Sequence, residues 1–168
     1  LKHCSKKNAL KLGELGERFL NNNQPSLEAQ IANVADEIAY NNHDIDDGLR
    51  AGLLSFEILN ESDFFLEQYE MVCEKCKELN QRQIRHEVVR NMINYIVSDL
   101  IETSKIIIDE CKPNNVNSVR NSEKLLIKMS LLVEKKHKDL KFLLRKKLYQ
   151  HEQVNLMTKK AKETVTYL

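Results

Sequence analysis

Val89, Ile93, Ile96, Val97, Leu100 and Ile101 recur at helical spacing between residues 82 and 111, and the run IVSDLIETSKIII is too apolar to face water all round. A long helix with such a stripe needs other elements to cover it, and the rest of the chain offers helices rather than strands. Four glycines and two prolines leave room for few tight turns, tryptophan is absent, and no alternating strand pattern occurs. The expected fold class is therefore all-α. With 42% hydrophobic and 30% charged residues, 168 residues are enough for one globular core. No apolar run approaches the roughly 20 residues of a bilayer span, and nothing near the start reads as a signal peptide. No membrane partner is expected, and the expected compartment is the cytoplasm.

Along the chain, helices alternate with short polar breaks. Residues 8–20 read as a helix carrying Leu12, Leu15, Phe19 and Leu20, stopped by NNNQP. Ser26 follows Pro25 and precedes Glu28, which marks it as the N-cap of a helix packing through Leu27, Ile31, Val34, Ala35 and Ile38. A break or bend is expected at 41–46, because the side chains of HDIDDG compete for backbone hydrogen bonds. Gly48 and Gly52 permit close approach, and Asp46 and Asp47 are expected to cap the next helix. Residues 62–79 read as a helix capped by Ser62, and 82–111 as a long or once-broken central packing helix. Residues 111–122, with Pro113 and four asparagines, read as the one long loop. In the helices beyond it, Leu140, Leu144 and Leu148 supply an apolar edge.

Net charge is only +1, but it is unevenly spread. Residues 1–111 hold 12 Lys/Arg against 20 Asp/Glu, and residues 112–168 hold 14 against 5, balances of −8 and +9. The basic stretch KKHKDLKFLLRKK, residues 135–147, packs beside the acidic part or keeps a solvated face; alternatively it meets a polyanion such as single-stranded nucleic acid. Aromatic residues that would stack bases are sparse there. Cys4, Cys73, Cys76 and Cys111 are too few for a disulfide framework. Cys73 and Cys76 form a lone CxxC, either half of a zinc or redox site or two ordinary helix cysteines.

Asp36, Tyr40 and Asp44 stand four residues apart, so a helix puts them on one face over roughly 12 Å at about 1.5 Å rise per residue. Two carboxylates and a phenol in a row can offer a metal ligand at one end and groups that read hydroxyls at the other. Glu37 lies about 100° further round and suits a supporting role. Among the other polar groups, Arg82, Arg85 and Arg90 at the start of the central helix could grip a triphosphate or simply face solvent. His86, His137 and His151 read as surface or packing histidines.

SLEAQIANVADEIAYNNHDIDDGLRAGLL, residues 26–54, resembles the segment that closes the active site in deoxyguanosine-triphosphate triphosphohydrolase-like proteins of the HD superfamily. Asp36-xxx-Tyr40-xxx-Asp44 is similar to that family's D-xxx-Y-xxx-D pattern. LKFLLRKKLYQHEQVNLMTKKA, residues 140–161, resembles its LYrH…V..M..KA pattern, and GELGERFLN, residues 13–21, its lead-in. The resemblance covers nearly all of this chain but only the later part of the family's length, so the expectation is a C-terminal fragment of a larger enzyme with an HD-domain-like helical fold. Residues 1–111 would be the end of the catalytic helical domain and residues 112–168 a basic C-terminal segment.

The resemblance implies metal-dependent hydrolysis of a deoxynucleoside triphosphate to deoxynucleoside and inorganic triphosphate. Asp36 would be the last ligand of a divalent cation, Mg or Mn; Tyr40 and Asp44 would bind the sugar, and Arg85 the phosphates. Such proteins commonly form homo-oligomers. The upstream His and His-Asp ligands of an HD site do not precede Asp36 here, so the isolated fragment is expected to be inactive. His43-Asp44 is itself an HD dipeptide, and a site from His3, His43, Asp44 and Asp99 is a rival within the same chemistry. A different class of reading is a non-catalytic helical domain that binds nucleic acid or another protein through the basic segment.

Overall fold

The structure, a computed structural model, describes residues 4–21, 23–75 and 78–167, the Arg18 side chain excepted. His3 and Cys76, and with them part of the rival metal site and of the CxxC expectation, lie outside these residues. The fold is all-α, with no strand among the described residues. The chain forms two compact units: one runs up to Ile38 and includes Val97–Ser130, the other takes Ala39–Ile96 and the chain from Leu131.

In the first unit, α1 (Lys6–Ala9) is capped by the Ser5 hydroxyl, which accepts the Asn8 N–H at 3.3 Å. A single turn, Leu10–Leu12, leads to Gly13, and α2 (Glu14–Leu20) follows. The single helix expected over 8–20 is thus broken. Gly13 turns the chain at φ 55°, and a Cβ on Gly16 would sit 1.8 Å from the Ala9 carbonyl oxygen, so the backbones of α1 and α2 approach at a distance only glycine allows. The expected loop over 111–122 also contains a helix, α7 (Val116–Arg120). Asn115 starts it with a reciprocal cap: its Oδ1 accepts the N–H groups of Asn117 and Ser118, and Ser118 Oγ accepts the Asn115 N–H.

The stretch after α7 is held by side chains. Gln30, 2% exposed, accepts the N–H groups of Leu126 and Ile127 through Oε1 at 2.9 and 3.1 Å and donates from Nε2 to the Pro25 carbonyl. Ser104 Oγ accepts the Lys128 N–H, and Asp99 Oδ2 accepts the Ser130 N–H at 2.8 Å. Buried backbone donors are thereby satisfied in a segment without helical bonding of its own.

Two helices contribute to both units, α3 (Leu27–Arg50) and α6 (Gln81–Cys111). Ser26 starts α3 as expected: its Oγ accepts the Ala29 N–H, its carbonyl accepts the Gln30 N–H, and the Glu28 carboxyl is held below its ordinary range by its own backbone N–H and by Ser26. The break expected at 41–46 does not occur. Asn41, Asp44 and Asp46 all point their competing side chains at tertiary partners, so the backbone keeps its helical bonds. Asp46 and Asp47 accordingly lie inside α3, and the next helix, α4 (Phe56–Leu59), is capped instead by Ser55 Oγ. The packing side of α3 is also more polar than expected: Ile31 is 51% exposed, whereas Gln30, Asn41 and Asn42 are buried with Ile38 and Ile45.

In the second unit α5 (Asp63–Lys75) buries Phe64, Phe65, Gln68 and Val72, and residue 79, expected as its end, is not helical. Ser62 holds the cap position through its carbonyl, which accepts the Leu66 N–H, while its buried hydroxyl has no partner among the described residues. Phe65 stacks on Tyr69 and Phe64 meets Tyr95 at 5.5 Å. The portion of α6 in this unit buries Val88, Met92 and Ile96; Ile96 belongs to the stripe read from sequence, whereas Ile93 is 36% exposed and Val88 and Met92 take the core places expected of Val89 and Ile93. Apolar residues cover more of this helix than the core takes up. In α8 (Leu131–Leu144), Val133, His137, Leu140 and Leu144 face inward at spacings of three and four. A wider π turn, Arg145–Tyr149, follows, closed by the Gln150 N–H on the Arg145 carbonyl at 3.2 Å. It buries Leu148, so the expected edge of Leu140, Leu144 and Leu148 faces the core. The last helix, α9 (Glu152–Tyr167), buries none of its residues.

Candidate functional site

The unbroken course of α3 carries Asp36, Tyr40 and Asp44 at successive turns of one helix. Asp36 is exposed, Tyr40 is 60% exposed and Asp44 is half-buried. Beyond α3, the π turn brings Tyr149 to the same place: its hydroxyl donates to Asp44 Oδ2, and its ring lies 6.5 Å from that of Tyr40, tilted by 51°. Burial raises the Asp44 carboxyl above its ordinary range, the Tyr149 hydrogen bond opposes that rise, and Asp47 adds to it. Burial and the Asp44 carboxylate together push the Tyr149 phenol upward, which keeps it a proton donor. Two aromatic rings and a carboxylate with one oxygen already engaged can cradle a ring bearing a hydroxyl group.

Tyr149 is absent from the residues singled out in the sequence, although it lies within LYQH, whose histidine, His151, is half-buried. A second relationship was equally invisible. Asn41, on the turn between Tyr40 and Asp44, donates from its amide to Nε2 of His137 at 2.8 Å, and both side chains are buried. His137 is thus a packing histidine as expected, with a specific partner on α3.

Arg85, the candidate for phosphate binding, places Nε 2.7 Å from Asp46 Oδ1, the two side chains 16% and 22% exposed. Asp46 also faces Arg50 at 3.9 Å. Arg90 pairs with Glu87 along its own helix. Several lysines of the basic stretch are engaged within the unit: Lys136 with Glu67, Lys138 with Glu134 and Lys147 with Glu61. The Glu67 hydrogen bond raises the Lys136 ammonium above its ordinary range.

No three His, Cys, Asp or Glu side chains gather among the described residues as a metal site would require. Asp99, drawn into the rival site, uses its carboxylate on the backbone of Ser130, and His43 is exposed. Cys4, Cys73 and Cys111 are free thiols. No helix among the described residues is long and apolar enough to cross a membrane.

No family model matches the chain. Curated relatives do. A deoxyguanosinetriphosphate triphosphohydrolase-like protein of an Azoarcus species is 47% identical over 165 residues, covering 98% of this chain and 43% of the relative. Proteins of the same description from Bordetella pertussis and Thiobacillus denitrificans are 45% and 43% identical over 168 residues, covering 100% of this chain and 44% of each relative. The chain therefore spans less than half the length of the relatives it matches.

Proposed function

This chain belongs to the deoxyguanosinetriphosphate triphosphohydrolase-like proteins, and from that membership we propose that it carries the sugar-reading part of an enzyme that hydrolyses deoxynucleoside triphosphates to deoxynucleoside and inorganic triphosphate. The observation that carries the reading is the Tyr149 hydroxyl on Asp44 beside the Tyr40 ring. In this reading Tyr149 fixes one Asp44 oxygen and turns the other toward a sugar hydroxyl. Tyr40, largely exposed in its turn, packs against the edge of the sugar ring. A site that donates and accepts at fixed positions rejects analogues lacking the matching group far better than an apolar pocket does.

The residues described do not by themselves make a metal site. Asp36 is proposed to give one oxygen ligand to a divalent cation, Mg or Mn, whose other ligands would come from the remainder of the family's length. Arg85 is proposed to reach the triphosphate, its guanidinium steadied by Asp46. The lysines paired with Glu67, Glu134 and Glu61 favour an intramolecular role for the basic stretch over nucleic-acid binding.

The test is phosphorus NMR of dNTPs incubated with the full-length protein and either cation. The expected result is inorganic triphosphate from the wild type, none from Asp36→Ala, and a reduced rate from Tyr40→Ala. Release of monophosphate or pyrophosphate, or unchanged turnover by Tyr40→Ala, would overturn the reading.

A further inference from the structure

Helix α8 presents a second face, away from the His137 side, that nothing in the sugar-reading proposal uses. Leu132 and Phe142 stand 61% and 69% exposed on it, with Leu131 beside them at 78%. Lys135 and Asp139 lie between them, both exposed, and neither has an ion-pair partner among the described residues, although Lys136 and Lys138 on the same helix do. Leu132, Lys135, Asp139 and Phe142 follow at spacings of three, four and three, which puts them in one row. An open groove of about 470 Å³ runs beside the row, between α8 and the first turn of α5, with Phe64 and Leu143 in its wall.

We propose that this row is an interface between two copies of the chain, their α8 helices antiparallel about a two-fold axis at the level of His137. The charge order argues for a second copy as the occupant. Lys135 and Asp139 stand equally far on either side of position 137, and so do Leu132 and Phe142. One antiparallel register therefore places Lys135 on the partner's Asp139, Asp139 on the partner's Lys135, and each Leu132 against a partner's Phe142. A two-fold contact requires this kind of self-complementarity. A parallel pairing would set Lys135 on Lys135 and Asp139 on Asp139, where like charges repel. Burying Leu132 and Phe142 supplies the apolar drive, the neighbouring groove receives the partner's aromatic ring, and the two charge pairs fix the register.

The test uses the full-length protein and a charge swap followed by sedimentation across a concentration series. Lys135→Glu and Asp139→Lys should each weaken the association by about tenfold or more, because each acts twice across the axis. Combined, they recreate the pairs with signs exchanged and should restore association to within about threefold of wild type. Leu132→Cys mixed with Phe142→Cys should also give a covalent dimer on oxidation, in excess of that formed by the native cysteines. A protein that stays monomeric throughout, single variants that assemble like wild type, a double variant as weak as the singles, or no added cross-link because the same chain's remaining length covers the row would each overturn the proposal.

Discussion

The Asn41 amide donates to Nε2 of His137 in a place where the two residues are 2% and 4% exposed. The bond joins α3 to α8 within the second unit, on the turn between Tyr40 and Asp44. It explains both why asparagine is tolerated in the middle of a helix and why its side chain is not free to bend that helix.

Asn41→Leu removes the donor to Nε2 from a buried site. The expected loss is about 1–3 kcal/mol, read as a fall of several degrees in the melting temperature. A melting temperature equal to that of the wild type would show that the pair contributes nothing to stability.

Asp44 gives a pH dependence whose sign follows from its burial. A carboxyl raised in the folded state binds its proton more tightly there than when unfolded, so its contribution to stability is present at low pH and is lost as pH rises through the folded value. Asp44→Asn should therefore melt above wild type at neutral pH, with the difference closing as pH falls through the carboxylate range. Tyr149→Phe removes the hydrogen bond that opposes the rise, so NMR titration should find the Asp44 carboxyl higher still in that variant. A carboxyl that titrates at the same place with and without the phenol would contradict the contact.

Gln30 serves two buried backbone donors with one oxygen. Gln30→Met keeps the bulk and leaves both without that acceptor, at an expected cost of about 1–3 kcal/mol for each unsatisfied group. Hydrogen exchange should show the Leu126 and Ile127 amides losing protection before the rest of the first unit; retained protection would mean that another group holds them.

Arg85 faces two demands that kinetics and melting separate. Arg85→Ala should lower the melting temperature by the equivalent of about 1–3 kcal/mol, because Asp46 is left in a largely closed site without its nearest cation. Assayed well below that temperature, the variant should also show a raised KM for dNTP. An unchanged melting temperature would deny the structural role, and an unchanged KM the contact with phosphate.

Helix positions were legible where the signal is local. Pro25, Ser26 and Glu28 announced the start of α3, and the lack of glycine and proline in 82–111 allowed α6 to run on unbroken. Local signals failed where distant partners decide. The asparagines and aspartates of 41–46 look like helix breakers until His137, Tyr149 and Arg85 arrive from far along the chain to occupy them. In α6 the stripe includes the buried Ile96 but not Val88 and Met92, because apolar residues cover much of the helix circumference and composition cannot say which of them the core takes. At the candidate site, the spacing of Asp36, Tyr40 and Asp44 was readable, since it belongs to one helix. Tyr149 was not, because only the folded chain sets it against Asp44.

The π turn at Arg145–Tyr149 makes Tyr149 depend on a count rather than on a chemical identity. A π turn holds one residue more than the α turn it replaces, and its wider winding absorbs that residue. Wound instead at the α-helical pitch of about 100° per residue, the same five residues would carry the Tyr149 phenol well round the helix and away from Asp44, with every side chain of the site still present. The fifth residue and the wide winding are therefore one feature: either lost without the other misaligns the phenol.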